Sequence, residues 1–91
     1  MLFSSAGTTP AFSACDDEAQ PQVNWANCDL SGKDFSNSDL SNAILTNAVL
    51  DNTDFSDAVL ENADLNFASL KNARFGGARM SNSKLVSVKA E

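Results

Sequence analysis

From Trp25 to Leu85 a large apolar residue returns at every fifth position: Trp25, Leu30, Phe35, Leu40, Leu45, Leu50, Phe55, Leu60, Leu65, Leu70, Phe75, Met80 and Leu85. Two places before each stands a small residue, as in Ala43, Ala48, Thr53, Ala58 and Ala63, and two places after comes, most often, Asn, as in Asn27, Asn37, Asn47 and Asn52. A period of five suits neither standard element. Five residues rotate a helix by about 500°, so successive leucines drift around it, and an odd step along a strand flips the side chain to the other face. A chain that turns a corner every five residues can instead aim each large residue and its small companion at one shared interior, which makes a solenoid.

A longer period sets the number of sides. Phe35, Phe55 and Phe75 recur every twenty residues, so four sides per coil would stack them in one core column. The same spacing sets Asp51 beside Lys71, Asp54 beside Arg74 and Asp64 beside Lys84, with one like pair, Asp34 beside Asp54. A three-sided coil does worse, matching Asp64 with Arg79 but Asp39 with Asp54. At a surface such pairs are worth about 0.2 to 1 kcal/mol each, so they argue for register more than for stability. Backbone ladders between coils, helped by stacked Asn42, Asn62 and Asn82, would pair the amides.

Residues 23–85 resemble the pentapeptide repeat family, whose pattern is roughly Ala, Asp or Asn, Leu and two variable residues; Ala63-Asp64-Leu65 and Ser38-Asp39-Leu40 match it. The resemblance implies an all-β fold, a right-handed quadrilateral parallel β-helix of about three coils. It implies no single function, since the family holds inhibitors of DNA gyrase, thylakoid lumen proteins and members of unknown role.

Residues 1–22 precede the repeat as leader and N-terminal cap, and 86–91 follow it as a short tail. Met1 to Ala14 carries no charge. Ala11-Phe12-Ser13 resembles a small-residue cleavage site and Phe12 to Cys15 loosely resembles a lipoprotein site, yet a basic start and a continuous apolar core are missing, so an export leader and a plain leader both stay open. Ser13 followed by Asp16, Asp17 and Glu18 reads as a helix start and Pro21 as its stop, which predicts a short helix over about 14–20. Its task would be to cover the unpaired backbone and open apolar end of the first coil, with Trp25 helping.

Cys28 occupies the inward small-residue position of the first coil, and Cys15 lies in the cap. A bridge between them would staple cap to coil, contribute about 3 kcal/mol and place the protein in an exported, oxidising compartment such as periplasm or thylakoid lumen. The alternative is that Cys28 merely replaces Ala, Cys15 is a free thiol and the protein is cytoplasmic. No run approaches the roughly 20 apolar residues of a membrane span.

Catalysis finds little to work with. The chain has no His and no Tyr, and its carboxylates fall on outward positions, where Asp29, Asp34 and Asp39 would point along three different sides. Gly76-Gly77 lacks phosphate-loop spacing. The expectation is therefore a protein that is not an enzyme and uses no metal and no cofactor, with Phe35, Phe55 and Phe75 as core stack. Lys33 breaks the inward pattern, and its stem would be buried with the amine wet.

Function must then lie on the surface. Ile44 and Val49 stand where a polar residue is usual, and Phe67 replaces the usual Asn; together they form a candidate partner patch on adjoining sides. The bland alternative is that β-branched residues suit strands and scattered exposed apolar groups are common. The net charge of −6 argues against nucleic acid as a direct partner. Residues 1–64 hold eleven acidic side chains against Lys33 alone, whereas residues 65–91 hold five basic ones against Glu91. The acidic face of Asp29, Asp34, Asp39, Asp54 and Asp64 invites comparison with relatives that mimic DNA to occupy gyrase. Coils about 4.8 Å apart give a rod near 15 Å, however, under half of a duplex turn of about 34 Å. The reading is a protein-binding or structural module with an unknown protein partner, in which an open solenoid end offers a route to a homo-oligomer. The alternative is a DNA-mimic inhibitor or modulator of gyrase or another DNA-binding protein.

Overall fold

In the computed structural model, which describes residues 15–90, each bridge joins a residue to the one twenty places on, and all are parallel. Four sides result. The first carries Asn24, Ile44, Asp64 and Lys84, the second Asp29, Val49, Ser69 and Lys89, the third Asp34, Asp54 and Arg74, and the fourth Asp39, Val59 and Arg79. Backbone bonds run both ways between circuits: Leu45 N–H donates to the Asp64 carbonyl at 2.7 Å, and Asp64 N–H donates back to that of Ala43 at 2.9 Å. Every bridge is a single residue, and no helix or multi-residue strand occurs among the described residues. A five-residue side that spends two residues on a corner has room for no more.

The corners explain the asparagines. At most of them the residue in the small position donates its N–H to the carbonyl three residues back, as Ala48 does to Leu45 and Ala63 to Leu60, both at 3.1 Å. The third residue of each turn has a positive φ: 64° at Asn27, 59° at Asn47, 63° at Asn62, and 74° at Gly77. One left-handed residue in third place is the type II pattern, and Asn tolerates that conformation better than other residues with a side chain, apart from Asp. The recurrence of Asn42, Asn62 and Asn82 therefore has its cause in the backbone, not in a ladder of stacked amides.

Inside, Leu40, Leu45, Leu50, Leu60 and Leu65 are fully buried, with Ala43, Ala48, Ala58, Ala63 and Ala68 between them. The phenylalanines form the column that their spacing predicts, with centroids 5.6 Å apart for Phe35 and Phe55 and 5.2 Å for Phe55 and Phe75. Trp25, on another side, brings its ring to 4.9 Å from Phe35 and so extends the column. Thr53, the one buried polar side chain among the described residues, donates its hydroxyl to the Leu50 carbonyl at 2.6 Å.

Two boundaries differ from the sequence-based expectation. The turn-and-bridge pattern starts at residue 21 and runs past Leu85 to residue 90, with Lys89 bridged to Ser69 and Val88 packed on the core. Backbone pairing needs no large central residue, which is why the lattice continues where the apolar period fades. At the other end residues 15–20 form turns and bends where a helix over 14–20 was expected, position 14 itself lying outside the described residues. A helix of seven residues has too few internal bonds to offset its nucleation. Here a disulfide, Cys15 to Cys28, ties the segment down with Cα atoms 5.6 Å apart, and Ala19 packs on the core. The resemblances to cleavage sites within 1–14 fall outside the described residues.

Candidate interaction surface

The residue before each central position points outward, and where it is Asp its carboxylate turns back onto the next corner. Asp29 accepts from Ser31 through the hydroxyl at 2.6 Å and the backbone N–H at 3.1 Å. Asp34 does the same with Ser36 and Asp39 with Ser41, while Asp54 takes the Ser56 N–H at 2.9 Å and Asp64 the Asn66 N–H at 3.1 Å. These are Asx turns, in which a short carboxylate completes the hydrogen bonding of a bend. The acidic residues thus serve the corners, and they are spread around all four sides; only Asp34 and Asp54 share one. Asp51, expected beside Lys71, accepts from the Lys71 backbone N–H at 3.1 Å and from the Ser69 hydroxyl at 2.6 Å.

Hydrogen bonds from serine hydroxyls, and then from the same serines' backbone N–H groups, hold Asp29, Asp34, Asp39 and Asp54 below their ordinary carboxylate value of 3.8. A depressed folded value stabilises the fold fully above the unfolded value, and the contribution is lost as pH falls through the lowered one. The melting temperature is therefore expected to hold steady down to about pH 5 and to fall below about pH 4. A variant with Ser31, Ser36 and Ser41 changed to Ala should show a shallower fall; an equal slope in both proteins would mean that these bonds do not form in solution.

Apolar exposure is concentrated elsewhere. Phe67 is 54% exposed, Val86 60% and Ile44 39%, with Val49 half-buried. Ile44 lies on the first side between Asn24 and Asp64, Val49 on the second between Asp29 and Ser69, and Phe67 on the corner that joins these sides, one circuit further on. Val86 adjoins Phe67 directly: its carbonyl accepts the Phe67 N–H at 2.8 Å, and its own N–H is held by the Asn66 side chain at 2.9 Å. Val86 escaped the sequence reading, although the signal was present. It follows a central residue, where neighbouring repeats carry Asp51, Ser56, Glu61 and Lys71.

Phe67 also occupies the third place of its corner, with φ at 65°. Among the other described corners that place is held by Asn, Asp, Gly, Gln or Ser. A bulky aromatic residue with positive φ is a genuine outlier and carries strain of about 1 to 2 kcal/mol.

A five-residue period, four sides in a twenty-residue register and left-handed corners are all on view. A family model described as a pentapeptide repeat region matches residues 21–91. The chain belongs to the pentapeptide repeat family. No curated protein matches it significantly. This pentapeptide repeat protein places no group of three or more His, Cys, Asp or Glu so as to hold a metal ion, and no helix long and apolar enough to cross a membrane, among its described residues.

Proposed function

We propose that this pentapeptide repeat protein is a non-enzymatic binding or structural module, built as a right-handed quadrilateral β-helix of about three coils. In this reading its lateral face presents Phe67, flanked by Ile44, Val49 and Val86, to a protein partner. Strain at Phe67 carries the reading. The side chain is exposed and is not among those packed on the core, so Phe67 opposes its own backbone at a corner that Asn would relax. Strained positions that do not serve stability concentrate at functional sites. The Cys15 to Cys28 disulfide supports an oxidising, exported compartment as the place of action.

Phe67→Asn separates fold from recognition. In urea the variant is expected to be more stable by about 1 kcal/mol, while proteins retained by the immobilised wild-type chain from its native source should be lost. If the stabilised variant retains the same proteins, Phe67 is not the docking residue. Inhibition of gyrase supercoiling by the purified protein would instead favour the DNA-mimic alternative.

A further inference from the structure

A cleft of about 390 Å³ separates the N-terminal segment from the first circuit. Asp16, Asp17 and Glu18 line it from the segment, Lys33, Asp34 and Phe35 from the third side, and Trp25 and Leu30 add apolar surface. Two further observations point to an occupant. Trp25 is 1% exposed, and its indole N–H is buried without a hydrogen-bond partner, a condition that costs stability. The backbone of Asp34, which also lines the cleft, is unpaired towards the N-terminal segment among the described residues. In the next circuit Asp54 donates its N–H to the Lys33 carbonyl at 3.0 Å and accepts from Phe35 N–H at 2.8 Å, and Arg74 pairs with Thr53 and Phe55 in the same way. Asp34, one circuit earlier, has neither a donor for its carbonyl nor an acceptor for its N–H among the described residues. An open strand edge and a cleft of acidic and apolar side chains, with a buried unsatisfied donor on one of them, therefore meet along Lys33 to Phe35.

We propose that this cleft binds one extended segment of a partner polypeptide, laid on Asp34 as a further rung of the third side and carrying a small, a basic and a large apolar residue in succession. Addition of a strand to an exposed edge supplies the backbone pairing. The basic residue follows from the column: the outward side chain of the new rung falls beside Asp34, which already faces Asp54, and four carboxylates line the cleft against Lys33 alone. The apolar residue follows from Trp25, Leu30 and Phe35, which give the cleft its apolar surface. The chain contains such a rung in Ala73-Arg74-Phe75, where Arg74 bridges Asp54 and Phe75 stacks on Phe55. This site is separate from the Phe67 face, and each can fail without the other.

The test uses the full chain, whose sole Trp reports on the cleft. A capped synthetic peptide of residues 71–77 is titrated while the Trp25 indole N–H resonance is followed by NMR, with a second peptide in which the residue matching Arg74 is Asp. The expected result is a saturable indole shift with the first peptide, binding at least about threefold weaker with the second, similar weakening in Asp34→Asn, and no change in Phe67→Asn. Absence of a shift up to millimolar peptide overturns the proposal, as does an equal response to both peptides. So does an indole N–H already protected from exchange and indifferent to peptide, the outcome if residues 1–14 of the chain itself occupy the cleft.

Discussion

Phe55→Ala is expected to lower the unfolding free energy by about 3 to 5 kcal/mol. Phe55 is fully buried at the middle of the ring column, with Phe35 on one side and Phe75 on the other. Collapse cannot fill the gap, because each neighbouring central residue is pinned by its own backbone bonds: Phe35 N–H to Asp54, Leu50 N–H to Ser69 and Leu60 N–H to Arg79. Residual cavity volume is what separates a costly truncation from a mild one. Small domains have only about 5 to 15 kcal/mol in total, so the urea midpoint should fall by a large fraction. Phe55→Leu, which retains most of the volume, should lose far less. A loss under about 1 kcal/mol in the alanine variant would mean that the column is loosely packed.

Replacing both Cys15 and Cys28 by Ala should cost about 3 kcal/mol, the amount by which a crosslink over a separation of this length restricts the unfolded chain. Alanine is the right replacement, because the positions equivalent to Cys28 on the second side are Ala48 and Ala68, both buried; the loss then reports the bond and not a packing defect. Reduction of the wild-type protein should give the same loss. Both should move Trp25 emission to longer wavelength, since the tethered segment shares the cleft with Trp25. Unchanged stability and emission in the double variant would show that residues 15–20 are held by contacts such as Ala19 on the core, without need of the bond.

Much of the interior was legible because its cause is local and repeats. The Phe35, Phe55 and Phe75 spacing predicts a twenty-residue register, and the bridges follow it on all four sides. Asp54 and Arg74 were placed side by side from the same count. The asparagines were visible but misread: a ladder of amides and a demand for positive φ leave the same trace in a sequence, and only the dihedral angles separate them. The acidic residues were likewise counted as a face, whereas each turns its carboxylate onto the corner two residues ahead. Of the apolar surface, Ile44, Val49 and Phe67 stood out as exceptions to the period, and Val86 was lost where the period fades into the tail.

The sequence by itself determined the repeat, the inward residues and the register, because a period of five turns every large side chain inward only if the chain bends at each repeat, and the twenty-residue recurrence of phenylalanine selects which sides stack. Tertiary structure alone decided three other matters. It showed that Cys15 lies within bonding distance of Cys28, that residues 15–20 precede the first circuit as turns and bends without forming a helix, and that Trp25 leaves its own side to extend the phenylalanine column while its indole N–H stays unpaired. These belong to the end of the lattice. There no preceding circuit stands among the described residues to dictate a position, and each residue settles by contacts that no period encodes.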